Sequence, residues 1–286
     1  MPMKYLIPST TDEALSLLDK YGEAAVIVAG SVFFTPHREE LFSEAEVLIN
    51  IGKLELNYIN VDEEGLKIGA TTSLTSLMTS EVISKGAFRV LSETVGEIPI
   101  KRIRDMGTVG GEVCMSAETD LPTSLIALDA KVVVVSPTES RILPLEEFYS
   151  GYLSTVLESN EMVTEIQVPH LPPKTGAGFC KLERGTVDLP IVNAAVRVTL
   201  GPDDKCRAAK IVLGCVAFPP VIASNAEKLL IGKKLDGKII ASATEAAADI
   251  ECITDIRASG ELRKRWAKVA VGKALNKAFE QAKGGK

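Results

Sequence analysis

The hydrophobic pattern of the chain changes at a segment rich in proline and glycine, residues 169–178. Before it, runs with helical spacing alternate with short runs rich in β-branched residues. After it, two long β-branched runs surround a turn, and helical spacing then continues toward the end of the chain. Because closely spaced prolines interrupt helices and central strands, we predict a linker here. A length of 286 residues suits about two domains, so we predict an α+β protein with domains at residues 1–172 and 173–286.

Local signals define the expected helices and strands. Thr10 can cap a helix that Gly22 would end, and an acidic turn at residues 62–65 predicts a hairpin between residues 57–61 and 66–70. The other predicted strands are residues 24–29, 47–51, 131–136, 191–200 and 206–217. The other predicted helices are residues 88–95, a short one after Pro122, and residues 261–282.

The predicted C-terminal helix has an apolar face, with basic residues on the rest of its surface. We expect the apolar face to pack on the protein and the basic residues to be solvated. The apolar face comprises Leu262, Trp266, Val269, Ala270, Ala274 and Ala278.

The charge balance argues against two classes of partner. The formal net charge is -6, from 32 basic and 38 acidic residues, so we predict neither a nucleic-acid nor a membrane partner. The most apolar early stretch, residues 24–34, is too short to span a bilayer, and the first ten residues lack the basic start and apolar run of a signal peptide. We therefore expect a cytoplasmic protein without a membrane span.

The cysteines are spaced too widely for a local metal site, and neither histidine lies near one of them. We predict free, buried thiols in a reducing compartment. We expect His37 and His170 to be structural or to face solvent. The cysteines are Cys114, Cys180, Cys206, Cys215 and Cys252.

Two glycine-bearing turns are the strongest candidates for a ligand site. In residues 26–33, a predicted strand ends in a small-residue turn around Gly30, where backbone amides can face an anion without an intervening side chain. In residues 104–111, three glycines leave amides sterically open and Thr108 adds a hydroxyl donor. Taken alone, the first turn is more typical of an ordinary tight turn.

Asp120 follows the second turn and has two interpretations. Its carboxylate could accept hydrogen bonds from a ribose or sugar hydroxyl, as an acidic residue does in dinucleotide sites. It could equally cap the helix that begins near Pro122. Spacing alone does not decide between them.

Taken together, the turn around Gly30, residues 103–111 and the Asp-Ile-Arg-Ala-Ser run at residues 255–259 resemble one family. It is the FAD-binding medium subunit of molybdenum hydroxylases, which includes the flavoprotein subunits of carbon monoxide dehydrogenase and nicotinate dehydrogenase and the flavin domain of xanthine dehydrogenase. The resemblance covers essentially the whole chain. It implies a two-part FAD-binding domain of the PCMH/VAO type, followed by an antiparallel sheet with helices like the C-terminal domain of the carbon monoxide dehydrogenase flavoprotein.

The resemblance implies FAD as the cofactor, with no metal and no catalytic side chain in this chain. Two loops would hold the FAD pyrophosphate and Asp120 would hold the ribose. Ile103 would pack near the isoalloxazine edge, and the backbone of Val163 and the side chain of Lys181 would lie near the flavin. The implied first loop is Ile27, Val28, Ala29, Gly30, Ser31, Val32 and Phe33, and the second is Thr108, Val109, Gly110, Gly111 and Glu112.

The function implied by the resemblance is electron transfer. FAD would receive electrons from a small iron-sulfur subunit, in a complex with a large molybdopterin subunit, and pass them to an acceptor. Ser31, Phe33 and Glu112 differ from the residues usual in the family, which favours an alternative: a flavin-free docking subunit of the same type of complex. A stand-alone flavin enzyme is a third hypothesis, against which the lack of a catalytic side-chain cluster argues.

Overall fold

The computed structural model describes residues 3–115 and 118–284, which form sheets of three, five, four and two strands. The strands are β1 (Lys4–Leu6), β2 (Ala25–Val28), β3 (Val47–Asn50), β4 (Ile59–Val61), β5 (Gly65–Gly69), β6 (Lys131–Val135), β7 (Ser140–Pro144), β8 (Tyr149–Gly151), β9 (Ser154–Thr155), β10 (Met162–Pro169), β11 (Thr175–Leu182), β12 (Val192–Leu200), β13 (Cys206–Gly214) and β14 (Val221–Ile222). The α-helices are α1 (Thr11–Tyr21), α2 (Phe34–Leu41), α3 (Leu74–Thr79), α4 (Arg89–Gly96), α5 (Lys101–Met106), α6 (Val109–Met115), α7 (Leu121–Ala127), α8 (Ser224–Leu230), α9 (Gly237–Ala247) and α10 (Gly260–Ala282).

The N-terminal unit is a parallel sheet in the order β1-β3-β2, covered by α1. As the sequence predicts, Thr10 caps α1 by accepting a hydrogen bond from the Glu13 amide (3.1 Å), and the chain leaves the helix at Gly22, whose φ is +51°. The buried face of α1 includes Leu18, which packs with Ile49 of the central strand. This packing leaves the carboxyl end of β2, and the loop that follows it, at the edge of the sheet.

The second unit is an antiparallel sheet in the order β4-β5-β10-β6-β7, with α3, α4, α6 and α7 sharing its core. The predicted hairpin is confirmed, with β4 and β5 joined at the acidic turn. In β6 the valines alternate, so Val132 and Val134 are buried against the helices. The chain runs from this sheet through α5 and α6 before it reaches α7.

The C-terminal unit is an antiparallel sheet in the order β11-β12-β13-β14, which confirms the predicted pairing of the two β-branched runs. One face packs on α8, α9 and α10. The other face packs on the core of the five-stranded sheet through Phe179, Ala195 and Val212, which are cross-strand neighbours. The two halves of the chain therefore share a continuous apolar contact.

The predicted linker at residues 169–178 is partly wrong, because β10 runs to Pro169 and β11 begins at Thr175. Gly176 and Gly178 lie in β11, directly under α10. A Cβ at Gly176 would collide with the Ala278 carbonyl, and one at Gly178 would collide with the Ala274 carbonyl. These glycines let α10 approach β11 closely. They are needed for packing, but in the sequence they give the segment the glycine content that is typical of a linker. The boundary at residues 172 and 173 stays a prediction.

Two residues of α10 contradict the prediction that its apolar face is packed and its basic residues are solvated. Val269 is 46% exposed, whereas Arg263 is fully buried. Arg263 donates to the Cys215 carbonyl (2.7 Å) and pairs with Asp255 (2.6 Å), so the buried cation has partners.

Replacement of Gly178 by alanine should lower the free energy of unfolding by about 1–3 kcal/mol, because the new methyl group must push α10 away from β11. Urea-induced unfolding followed by circular dichroism measures this. Gly237→Ala is the matched control, since a Cβ at that position meets no atom within 4 Å. Equal unfolding midpoints for the two variants would contradict the close-approach interpretation.

Candidate functional site

The loop between β2 and α2, residues 29–33, presents backbone donors. Among the described residues, no acceptor takes the amide protons of Gly30, Ser31, Val32 or Phe33. Ser31 has a φ of +56°, and its carbonyl accepts from the amide (3.1 Å) and the hydroxyl (2.8 Å) of Thr35. Successive free amides in such a bend form a concave surface suited to an anion.

The second glycine turn lies directly against this loop. The Gly30 backbone is so close to the end of α5 that a Cβ would collide with the Met106 carbonyl. Only glycine fits there, so the two turns that the sequence singles out are brought together. The contact also makes residues 29–33 one wall of the site and the chain after α5 the other.

Most amides of the second turn are not open, contrary to the sequence-based expectation, because α6 already begins at Val109. Within residues 107–112, the Thr108 amide alone has no acceptor among the described residues. Gly110 donates to the Ala70 carbonyl (2.8 Å) and Val109 to the Thr72 carbonyl (2.9 Å). Thr108 accepts from Gly111 through Oγ1 (3.1 Å) and from Glu112 through its carbonyl (2.9 Å). The free donors therefore lie mainly in the first loop, and the second turn adds the Thr108 amide and a surface poor in side chains.

The aromatic residues of the first loop pack along α2. Phe33 stacks on His37 with ring centroids 4.3 Å apart, and the ring centroids of Phe34 and Phe42 are 5.1 Å apart. His37 Nδ1 also lies 2.9 Å from the Phe33 carbonyl oxygen, which gives this histidine a structural role. The rings thus order the segment that follows the free amides.

Asp120 lies in a buried polar cluster that joins the two halves of the protein. Its carboxylate accepts from Asn193 Nδ2 of β12 (2.8 Å) and lies 3.4 Å from Lys181 Nζ of β11. Lys181 Nζ also lies 3.0 Å from Glu183, and the Lys181 and Asp120 side chains are each 3% exposed. Burial raises the Asp120 pKa to about 6, although Lys181 and Asn193 oppose the rise.

Asp120 is the residue before α7, but its side chain makes no capping hydrogen bond. The capping interpretation is therefore wrong, and the buried carboxylate pairs with Lys181 instead. Asn193, which sequence reasoning missed, orients this carboxylate and is fully buried. An asparagine within an apolar strand was the available signal, because a buried amide needs partners.

Glu112 is in the first turn of α6 and its carboxyl is turned inward. Burial, and then the nearby Asp120, raise the Glu112 pKa to about 8, against the effect of the Leu121 amide and Lys181. The pKa of Glu112 therefore lies above that of Asp120, so Glu112 is the carboxyl of this pair that keeps a proton more readily.

Ile103 and Val163 are connected to the second turn through backbone hydrogen bonds. The Ile103 carbonyl accepts from the Gly107 amide (2.7 Å), so Ile103 belongs to the turn that leads to Thr108. Val163 is buried in β10. The carbonyl of the adjacent Thr164 accepts from the Ala70 amide (2.9 Å), and the Ala70 carbonyl in turn accepts from the Gly110 amide.

The Asp-Ile-Arg run reaches the same region from the C-terminal half. Arg257 pairs with Asp255 (3.3 Å) and with Glu118 (2.6 Å), which lies just before Asp120. Buried Arg263 holds Asp255 in turn. This chain of ion pairs connects the start of α10 to the segment before α7.

The residues that the structure describes contain no group of three or more histidine, cysteine, aspartate or glutamate side chains that could hold a metal ion. All five cysteines are free, as predicted, although Cys114 and Cys252 are only partly buried. Over the same residues, no helix combines the length and apolar character needed to cross a membrane.

Comparison with known proteins accounts for both halves of this fold. Residues 1–171 match the family described as the FAD binding domain in molybdopterin dehydrogenase. The chain belongs to this family. Residues 177–278 match a second family, the CO dehydrogenase flavoprotein C-terminal domain. The family and the fold class that the sequence resemblance implies are confirmed.

Relatives of this FAD-binding family align along nearly the whole chain. The 6-hydroxypseudooxynicotine dehydrogenase complex subunit alpha of Paenarthrobacter nicotinovorans is 31% identical over 98% of this chain and 95% of its own length. The carbon monoxide dehydrogenase medium chain of Hydrogenophaga pseudoflava is 30% identical over 96% of both chains. A solved structure of the Hydrogenophaga pseudoflava enzyme superposes with a TM-score of 0.93 at 30% identity, covering 98% of both chains.

Lys181→Met should destabilise this FAD-binding family member by about 3–5 kcal/mol, because it leaves buried Asp120 and partly buried Glu183 without a cation. Urea-induced unfolding at pH 7 is the measurement. Combining it with Asp120→Asn should recover part of the loss, which a double-mutant cycle quantifies.

The same substitution at Lys174, whose ion pair with Asp204 is exposed, is the matched control and should cost less than about 1 kcal/mol. Similar losses for Lys174→Met and Lys181→Met would show that burial does not strengthen the Asp120 pair.

Proposed function

We propose that this protein is the FAD-binding electron-transfer subunit of a molybdenum hydroxylase. One observation carries the proposal most directly: the loop at residues 29–33 has four free backbone amides and lies against a glycine turn, in a chain of the FAD-binding family. Backbone donors without competing side chains suit a diphosphate, because they stabilise negative charge while letting it approach closely.

The residues present fit FAD at two places. The first loop would hold the pyrophosphate through its free amides, with the Thr108–Gly111 turn as the opposite wall. Asp120 would accept from the ribose hydroxyls, since its carboxylate has more acceptor positions than Asn193 and Lys181 use. Ile103 and Val163 stay candidates for the flavin side of the site.

Lys181 has a defined task in this proposal. Its ammonium is surrounded by Asp120, Glu183 and the Glu97 carbonyl (3.3 Å), so its charge is balanced within the protein. It keeps Asp120 ionised and therefore able to accept hydrogen bonds.

Bound FAD would supply the redox chemistry by accepting and releasing electrons. The chain itself needs to bind the cofactor, orient it and limit access of water. No acid, base or nucleophile is required of the side chains around residues 29–33 and 108–111.

The partners in this proposal are a small iron-sulfur subunit and a large molybdopterin subunit. Related proteins are named as one chain among several, such as the medium chain of carbon monoxide dehydrogenase and the nicotinate dehydrogenase FAD-subunit of Eubacterium barkeri. Electrons would therefore enter from a partner that holds the clusters. The free cysteines are consistent with a cytoplasmic location, which we include in the proposal.

Purified protein should carry flavin absorbance or take up added FAD, and Gly111→Val should lose most of this binding. A Cβ at Gly111 meets only the Thr108 hydroxyl, at 3.0 Å, so valine would mainly cover the surface where the diphosphate approaches. Gly110 is unsuitable for this test, because a Cβ there would press on Ala70 at 2.8 Å and disturb packing. Fluorescence titration with FAD gives the dissociation constants.

Gly96→Val is the matched control, because Gly96 is exposed and a Cβ there meets no atom within 4 Å. It should bind FAD like the wild type. If the wild type takes up no FAD, the flavin-free docking alternative replaces the proposal. Copurification with small and large subunits would then distinguish a docking subunit from an unrelated role.

A further inference from the structure

Glu112 lies where the second glycine turn meets the buried polar cluster around Asp120. It follows Gly111 in the first turn of α6, and its carbonyl accepts from the Thr119 hydroxyl (3.4 Å), which places this turn against the segment leading to Asp120. Its Oε2 atom is buried and has no hydrogen-bond partner among the described residues. An ionised carboxylate with a dry, unpartnered oxygen is strongly disfavoured, whereas a neutral acid is tolerated.

The charges around Glu112 do not balance if every carboxyl is ionised. The cluster contains Glu112, Asp120 and Glu183, but one ammonium, that of Lys181. Lys181 Nζ lies 3.4 Å from Asp120 and 3.0 Å from Glu183, and Asn193 also donates to Asp120. No lysine, arginine or histidine nitrogen of the described chain lies within 4 Å of the Glu112 carboxyl. Glu112 is thus the carboxyl without a counterion.

Other groups facing Glu112 cannot relieve this imbalance. Tyr149 of β8 is buried, its hydroxyl also lacks a partner in the described residues, and burial raises its pKa well above the ordinary value. Cys114, on the same helix, has its pKa raised to about 12 by burial. Asp120 repels a second negative charge on Glu112, and this repulsion outweighs the attraction of Lys181. The proton therefore belongs on Glu112.

We propose that this cluster holds Glu112 as the neutral carboxylic acid, and that FAD binds to this neutral form, so that one proton must stay on Glu112 for the cofactor to be retained. The dependence of FAD binding on this proton rests on the proposed function. Glu112 is within one helical turn of the Gly110-Gly111 surface, so its ionisation would add negative charge beside the site of a diphosphate. Repulsion between like charges in a poorly solvated site weakens binding.

The first test needs no FAD and compares unfolding of wild type and Glu112→Gln between pH 4 and pH 9. An unfolded glutamate loses its proton near its ordinary pKa of 4.5, whereas folded Glu112 keeps it to about 8. The stabilising effect of the protonated carboxyl is complete below pH 4.5 and is lost as the pH rises toward 8. Glutamine does not titrate. The folding equilibrium constant of Glu112→Gln, divided by that of wild type, should therefore grow by up to about tenfold per pH unit in that window.

The second test measures FAD dissociation constants by fluorescence from pH 6.5 to pH 9.5. For wild type, the constant should rise by up to about tenfold per pH unit above pH 8, whereas Glu112→Gln should bind with a nearly constant affinity. Glu63→Gln removes an exposed carboxyl in the β4-β5 turn and should follow wild type in both tests.

Parallel unfolding curves for wild type, Glu112→Gln and Glu63→Gln would overturn the neutral acid. A pH dependence of FAD binding that is the same in wild type and Glu112→Gln would overturn the coupling to FAD. If neither wild type nor any variant binds FAD at any pH, the proposed function and the coupling to FAD are both wrong. The unfolding comparison still decides the protonation state of Glu112. The two failures are therefore distinguishable.

Discussion

The ammonium group of Lys181, buried between Asp120 and Glu183, is the contact on which the candidate site depends. Lys181 belongs to the C-terminal sheet, whereas Asp120 immediately precedes α7 of the N-terminal half. An unpaired buried charge costs several kcal/mol, so neither half can move away from the other without a penalty. The site is consequently built from both halves of the chain, with Asn193 fixing the direction of the shared carboxylate.

Close approach of backbones, rather than chain flexibility, explains the glycines that shape the site. Gly30 lets residues 29–33 contact the end of α5, and Gly110 lets α6 contact Ala70. A Cβ at Gly30 would collide with the Met106 carbonyl, and one at Gly110 would press on Ala70 at 2.8 Å. These contacts align one loop with free amides beside a helix start whose amides are already used, which divides the roles of the two turns.

Much of the local structure could be predicted from the sequence, because its causes are local. The Thr10 cap, the β4-β5 hairpin and the β12-β13 pair follow from side chains and turns close together in sequence. The start of β11 and the burial of Arg263 could not be predicted in this way, since both depend on α10 packing against the C-terminal sheet. Considered alone, the glycines of β11 are typical of a linker, and a basic residue in a helix is typical of a solvated surface.

The sequence by itself determined which segments would form the two turns, and the resemblance that it carries to a flavoprotein family. Only the tertiary structure decided how the site works electrostatically. It joined Asp120 to Lys181 and Asn193, excluded the capping role of Asp120, and turned Glu112 into the same cluster. The physical reason is that the pKa of a carboxyl depends on its burial and on charges brought close from distant parts of the chain.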